Sequence, residues 1–359
     1  MNVITADRTS RTAIPISSFE FWPGWLFYIP VVLFWTLMGL RFRSLTLPTA
    51  ANPRVETGGL CGESKSSILD QAGPVARAWI APYVVMVTGD DDLRRARAAL
   101  AEAGLSLPVV VKPDIGCNGT GVRRADSIEA LAASLDSFPR DVALVLQELI
   151  PHEGEAGIFY VRRPDQAEGC ITSLTLKSAP RIIGDGVSTV RALILADERS
   201  GQIPGIYLPR LAHRHDEVLP AGRELALVFA GNHCKGSIFA DGGRDVTAAL
   251  TRQIDRIMRD IPDFHFGRID VKFHGLGALR AGEGFRIIEI NGVGSEATHI
   301  WDSSTSLAKA YRDQIMHYRL AFEIGAQMRR RGWKPTSPMA LIAAWRKQRR
   351  LMASYPMND

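Results

Sequence analysis

Two short segments constrain this chain more than anything else in it. GRIDVKF (Gly267–Phe273) and FRIIEIN (Phe285–Asn291) both read as β-strands, rich in β-branched and aromatic residues. Each nevertheless carries acidic or amide side chains among the apolar ones: Asp270 in the first, Glu289 and Asn291 in the second. Residues two apart on a strand share a face, so Glu289 pairs with Asn291 and Arg268 with Asp270. Carboxylates inside strands are costly unless they are paired or hold a metal ion. Oxygen ligands of this kind suit Mg²⁺. A guanidinium beside them suits charge that develops during phosphoryl or acyl transfer. The plainer alternative is a set of structural ion pairs.

Two further segments supply what such strands need. VVVKPDIGCNGTGV (Val109–Val122) brings Lys112 on a β-rich run into a loop containing Gly116, Gly119, Thr120 and Gly121. Lysine can place an ammonium on a phosphate, and glycines let backbone N–H groups approach phosphate oxygens. LVLQELIPHEGEAGIFYV (Leu144–Val161) runs from a strand into a linker. An adenine needs hinge donors and acceptors and a ribose diol needs a carboxylate, which Glu148 and Glu155 can provide. Other strand-like runs are Ile171–Lys177 and Glu224–Phe229; helical runs are Ser127–Leu135, Ser188–Asp197, Val246–Arg259 and Ser306–Met328. A further Ala/Arg/Leu helix pattern begins near Asp91, with Asp90 or Asp91 as its cap. The mixed order predicts an α+β fold with an antiparallel component.

In order and spacing, Lys112 with its loop, Glu148 and Glu155, Arg268-Ile269-Asp270 and Glu289-Ile290-Asn291 resemble the ATP-grasp superfamily. The GRID and EIN segments look like D-alanine–D-alanine ligases. IIGDGVSTV (Ile182–Val190), LPAGREL (Leu219–Leu225), GNHCKGS (Gly231–Ser237) and RDVT (Arg244–Thr247) look like the ATP-grasp part of cyanophycin synthetases. The resemblance covers roughly Val109 to Trp301. It implies two α+β subdomains gripping ATP, with a lid at Gly116–Gly121. Lys112, Lys177, Gly119, Thr120 and Gly121 would hold phosphates. Glu148, Leu149 and Ile150 would hold adenine, and Glu155 the ribose. Asp270, Glu289 and Asn291 would bind two Mg²⁺ ions, Mn²⁺ being the alternative. Arg268 and Lys177 would be catalytic. The implied activity is a carboxylate–amine ligase working through an acyl phosphate. The rivals are a phosphotransferase, an acid–thiol ligase and a membrane-anchored nucleotide-binding scaffold without turnover.

This sequence departs from the look-alikes in three places. The region before Lys112 is short for their N-terminal α/β domain. GVGSEATHIW follows Asn291 where they carry a Ser/Ala-Pro-Gly pattern. Gly294 and Ser295 are expected to offer an anion nest, and Glu296 to favour a substrate amine. Finally, Phe21–Leu40 is an uncharged twenty-residue run with Trp22, Trp25 and Tyr28 at its start and Arg41 and Arg43 at its end. Its length and flanks predict membrane association, as a span or as a hairpin bent at Pro30. The expected location is a cytoplasmic catalytic domain on the inner face of the cell membrane.

The expected division is 1–45 membrane-associating, 46–107 linker and pre-ATP-grasp region, 108–328 ATP-grasp domain, and 329–359 a basic amphipathic tail. That tail suits anionic lipid or plain solvent. A net charge of +5 fits an anionic small molecule or membrane. No nucleic-acid module signature is present, so the expected partners are small acids and amines. The four cysteines lack metal or disulfide spacing and read as packing residues in a reducing compartment. His213, His215 and His233 have no fourth ligand spaced for zinc. Lys65, in GGLCGESKSS (Gly58–Ser67), is a candidate charge for a substrate loop, although that segment lacks P-loop spacing.

Overall fold

The alternation in GRIDVKF and FRIIEIN builds the middle of a sheet. The structure, a computed structural model, describes residues 16–17, 19–229 and 236–357. Gly231–Lys235 of the GNHCKGS motif, with His233 and Cys234, lie outside the described residues. The strands are β1 Tyr83–Val87, β2 Val109–Pro113, β3 Arg123–Ala125, β4 Ala143–Glu148, β5 Gly154–Val161, β6 Cys170–Ser178, β7 Arg181–Ile183, β8 Glu224–Ala226, β9 Ile238–Asp241, β10 Phe266–Phe273 and β11 Phe285–Asn291. The helices are α1 Gly24–Phe27, α2 Ile29–Phe42, α3 Lys65–Leu69, α4 Pro74–Arg77, α5 Asp92–Glu102, α6 Ile128–Asp136, α7 Val190–Ala196, α8 Pro204–Tyr207, α9 Ala248–Met258, α10 Leu276–Ala281, α11 Leu307–Arg330 and α12 Pro338–Ala353.

These strands form a five-stranded sheet in the order β11-β10-β5-β6-β9, a four-stranded sheet β1-β4-β2-β3 and the ribbon β7-β8. Every pairing is antiparallel, which bears out the α+β reading. The five-stranded sheet is covered on both faces. Ile158, Tyr160, Ile269, Val271 and Ile287 meet Leu250, Ile254 and Ile257 of α9. On the other face, Phe159, Val161 and Phe266 meet Ala321, Ile324 and Met328 of α11. Each large side chain buried this way contributes about 1.5–3 kcal/mol. The four-stranded sheet is covered on one face only. Val109, Val111, Leu144 and Leu146 pack on Ala96 and Leu100 of α5 and Leu131 of α6. Its alternate residues Val110, Lys112 and Gln147 line a cleft opposite the polar end of the five-stranded sheet.

The strand β1 pairs with β4, so the four-stranded sheet draws on residues before position 108 as well as after it. Neither expected aspartate caps α5 with its side chain: Asp91 occupies the cap without a bond. Instead Asp92 accepts from the Gly89 N–H at 2.8 Å. The GDG segment is a turn, with Asp185 Oδ1 accepting from the Val187 and Ser188 N–H groups. Of the described cysteines, Cys117 and Cys170 are exposed and Cys61 is intermediate, so none is the buried packing residue expected.

The uncharged N-terminal run is not a span. Among the described residues no helix is long and apolar enough to cross a membrane. Pro30 stands in the first turn of α2, where its missing donor costs nothing, so it starts a helix instead of bending one. The α2 helix ends at Arg43, in left-handed conformation at φ 53°, after 14 residues. One face packs inward: Trp35 lies edge-on to Tyr318 and Phe322 at 5.4 and 5.1 Å, and Met38 meets Leu47 and Ala326. Before it, Phe19 and Phe27 join Phe239, Ile300 and Trp301 in a separate cluster. The opposite face of α2 is bare, with Val32, Leu33, Leu37 and Leu40 between 60 and 69% exposed. The C-terminal tail is also not free. Its helix α12 meets the substrate loop through Gln348, the glycine-rich loop through Met352 and the core of the four-stranded sheet through Leu351, and Tyr355 just beyond it donates to the Ile115 carbonyl.

Candidate active site

The cleft between the two sheets has a volume of about 900 Å³, ample for a small-molecule site. Its charged end follows from strand register. Asp270 of β10 stands directly opposite Glu289 of β11, and Arg268 opposite Asn291. A register shift after Asp270 leaves Ile288 unpaired across the two strands. The Ile288 carbonyl accepts from Lys112 Nζ at 2.8 Å, and Gln147 Oε1 accepts from the same ammonium at 2.8 Å. Gly267 has no room for a Cβ, which would sit 2.0 Å from the Asn291 carbonyl oxygen. The glycine of GRID therefore lets the two polar strands close up.

Asp270 is the hub. Lys177 Nζ donates to its Oδ1 at 2.9 Å, and Arg268 holds both of its oxygens at 2.9 and 3.0 Å. Asn291 Nδ2 donates to Oδ2 at 3.3 Å. Burial alone would raise the Asp270 carboxyl, but Arg268 and Lys177 hold it well below the usual carboxylate range. Burial pushes the Lys112 ammonium down to about 8, against the pull of Glu289. Glu155 stands opposite Lys177 on the neighbouring strand, 3.4 Å from its Nζ and 3.0 Å from Lys272 Nζ. Lys65 bridges the two halves: its Nζ donates to the Gly116 carbonyl at 2.6 Å and lies 3.7 Å from Glu289.

An ion would find a hard oxygen set here: the Glu289 and Asp270 carboxylates and the Asn291 amide oxygen. Among the described residues no three His, Cys, Asp or Glu side chains converge. A divalent cation held here would therefore need the Asn291 oxygen and oxygens from a bound ligand as well. The donors that Lys177 and Asn291 direct at Asp270 occupy positions an ion would share.

The remaining expected residues divide. Gly119 and Thr120 line the cleft, whereas Gly121 turns against Phe138 and Pro113. Glu148, Leu149 and Ile150 line the hinge end. There the Glu148 N–H donates to the Pro82 carbonyl at 2.9 Å and the Leu149 N–H to the Pro108 carbonyl at 3.3 Å. Gly294 and Ser295 do not form an anion nest. The Gly294 N–H donates to the Gly59 carbonyl at 2.6 Å and the Ser295 N–H to the Gly292 carbonyl at 3.0 Å. Gly58–Gly59 docks there because Gly59, at φ +74°, would set a Cβ 2.6 Å from Gly292. Nor is Glu296 reserved for an amine. Its carboxylate accepts from Tyr28 Oη at 2.8 Å, from Trp301 Nε1 at 2.7 Å and from Gln314 Nε2.

Sequence reasoning missed Lys272, Gln147, Glu63, Tyr28, Phe239, Trp301 and Gln348, all of which line the cleft. Lys272 was detectable, because it lies two residues beyond Asp270 on an alternating strand. Glu63 is half-buried, with burial pushing its carboxyl up and its Oε2 lacking a hydrogen-bond partner. No local pattern marks it, nor the aromatic residues.

No family model and no curated protein matches the chain. Among solved structures it is similar to the D-alanine–D-alanine ligase from Bacillus anthracis, at 12% identity and a TM-score of 0.42, over 77% of this chain and 71% of that one. It is similar to D-cycloserine synthetase at 14% identity and a TM-score of 0.40, over 73% and 70% of the two chains. A third likeness is to the bifunctional glutathione synthetase from Pasteurella multocida, at 16% identity and a TM-score of 0.35. It covers 70% of this chain but only 36% of that one, little more than a third of its length. At these TM-scores the likenesses carry no argument, and function rests on the residues of the cleft.

Proposed function

We propose that this protein is an ATP-dependent carboxylate–amine ligase of the ATP-grasp type. The observation that carries the reading is the convergence of Lys112, Lys177 and Arg268 on the face that holds Asp270, Glu289 and Asn291. The phosphates would replace the contacts that Lys112 and Lys177 now make within the protein. Adenine would lie at Glu148–Ile150, where the Ile150 N–H is the remaining hinge donor, and the ribose at Glu155. Mg²⁺ held by Asp270, Glu289 and Asn291 would offset the charge on the β- and γ-phosphates. The acid's carboxylate attacks the γ-phosphorus, giving an acyl phosphate and ADP. The amine then attacks the carbonyl carbon and phosphate leaves. Of its five N–H groups, Arg268 donates two to Asp270 and one to the Glu296 carbonyl, which leaves two for the developing oxyanion. The Gly116–Gly121 loop, tethered by Lys65, would shut out water.

The test is ADP release from ATP and Mg²⁺ against paired panels of acids and amines. ADP that depends on both partners supports a ligase. ADP formed with a hydroxyl or thiol acceptor instead would move the assignment to the phosphotransferase or acid–thiol ligase.

The outer face of α2 favours a lipid surface. With Trp25 of α1 before it, this face presents Ile29, Val32, Leu33, Leu37 and Leu40 without a charge, and Arg41, Arg43, Arg329 and Arg330 are exposed around its C-terminal end. The last two belong there because Arg329 Nη1 donates to the Phe42 carbonyl. An apolar face rimmed by arginines suits shallow seating on anionic lipid. Use of ATP would put that surface on the cytoplasmic side. Deleting residues 1–45 would not test this, because it strips Phe19, Phe27 and Trp35 from the interior. Leu33→Glu with Leu37→Glu should abolish sedimentation with anionic vesicles. Unchanged sedimentation would refute the surface.

A further inference from the structure

The cleft continues past Arg268 into a wall of aromatic side chains that the phosphate chemistry does not use. Tyr28, Phe239 and Trp301 cluster there, and Phe229 and, from the substrate loop, Leu60 line the same cleft. It lies against the reacting groups: Phe239 is the strand partner of Lys177, and Arg268 Nη1 donates to the Glu296 carbonyl at 3.2 Å. We infer that the acid activated here carries an apolar body, aromatic or aliphatic, rather than a small polar one. The inference rests on the ligase reading above and names the substrate class of that same site.

The wall is built to present carbon. Tyr28 Oη and Trp301 Nε1 both donate to the Glu296 carboxylate, so their polar ends are satisfied by the protein and not by a substrate. Behind them Phe27 packs 4.7 Å from Trp301 and 5.2 Å from Tyr311, and stacks on Phe19 at 5.8 Å. The turn that carries Trp301 is pinned in turn by His299, whose ring bonds Ser173 Oγ at 2.7 Å and Asp313 Oδ2 at 2.9 Å. A site with convergent polar groups at one end and rigid apolar lining at the other selects an amphipathic ligand. The backbone N–H groups of Gly294 and Ser295, which would grip a second polar function, are already engaged, and the Thr298 hydroxyl and the Glu63 carboxylate are the polar side chains with an unpartnered atom in the same cleft.

The experiment uses the full-length protein with ATP, Mg²⁺ and hydroxylamine, which traps an acyl phosphate as a hydroxamate. Acetate, glycine and alanine are compared with hexanoate, decanoate and phenylacetate. The expected result is a kcat/KM at least about tenfold higher for the apolar acids, the scale on which apolar pockets discriminate. Phe229→Ala, and independently Leu60→Ala, should raise the KM for hexanoate about tenfold. Hydroxamate formed equally well or better from the small polar acids would overturn this inference and leave the ligase reading standing. ADP without hydroxamate from any acid, or no ADP despite measured ATP binding, would overturn the ligase reading and this inference with it.

Discussion

The two ends of the cleft are held by different forces. At the nucleotide end the side chains are buried ions that compensate one another, with Asp270 gripped by Arg268 on its own strand and by Lys177 on β6, across the intervening β5. At the substrate end a single carboxylate, Glu296, collects neutral donors from parts of the chain far apart; Tyr28 reaches it across 268 residues of sequence. The first arrangement has high stakes, because removing one ion strands the others in low dielectric. The second spreads its stability over apolar contacts and hydrogen bonds, so single losses there should be milder and should alter selectivity before turnover.

The harshest way to test that contrast is Asp270→Asn. It weakens an ion ligand, leaves Arg268 without its carboxylate and leaves Lys177 with Glu155 alone. Turnover should fall at least about a hundredfold, on the scale seen when metal-site groups are altered. Stability should fall by about 3 kcal/mol, the cost of breaking a buried pair. Calorimetry and ADP release report the two effects separately. Near wild-type turnover would remove Asp270 from the site.

Glu20→Ala carries the contrast to the N-terminal segment. Glu20 and Arg199 are both buried and form an ion pair that ties this segment to the region between α7 and α8. Leaving Arg199 buried without its carboxylate should cost about 3 kcal/mol in a urea titration. Nucleotide affinity, set at the other end, should hold. A parallel loss of ATP binding would mean that the two ends are not independent.

The unequal legibility of the two ends has the same origin. Arg268, Asp270, Glu289 and Asn291 share faces on two adjacent strands, and alternation alone brings them together. Lys112 reaches them because β2 lies in a one-faced sheet whose bare side closes the cleft. By contrast, Tyr28 enters the site from a run whose hydropathy signals a membrane, since a helix that is apolar all round reads the same whether protein or lipid covers it. The α2 helix stops after 14 residues because Arg43 turns left-handed, a tertiary decision that periodicity does not record. Gly294 and Ser295 look like a nest in sequence, and only the docking of Gly58–Gly59 shows their donors to be engaged.

A change of pH examines the nucleotide end without mutation. Folding lowers Lys112 from 10.5 to about 8. Between those values the unfolded chain binds the additional proton, so this group's contribution makes stability rise with pH across that window. ATP should do the reverse to affinity. Phosphate favours the charged ammonium, so binding takes up a proton above about pH 8 and weakens as pH climbs further. Titration calorimetry in buffers of different ionisation enthalpy measures that uptake. Zero uptake at pH 9 would place Lys112 away from the phosphates.

The smallest expected effect is the most discriminating for the substrate end. Tyr28→Phe keeps the ring and removes only the hydroxyl that donates to Glu296. The carboxylate retains Trp301 and Gln314, so it is not left bare, and the stability loss should be about 1.5 kcal/mol, the low end for a hydrogen bond to a charged group. Because the aromatic face stays in place, kcat with the preferred acid should change little. One restraint on the ring is lost, so the KM for that acid should rise a few-fold while the KM for ATP stays constant. A drop in kcat as large as that of Asp270→Asn would show Tyr28 to be part of the chemistry and not of the wall, and the division between the two ends would have to be abandoned.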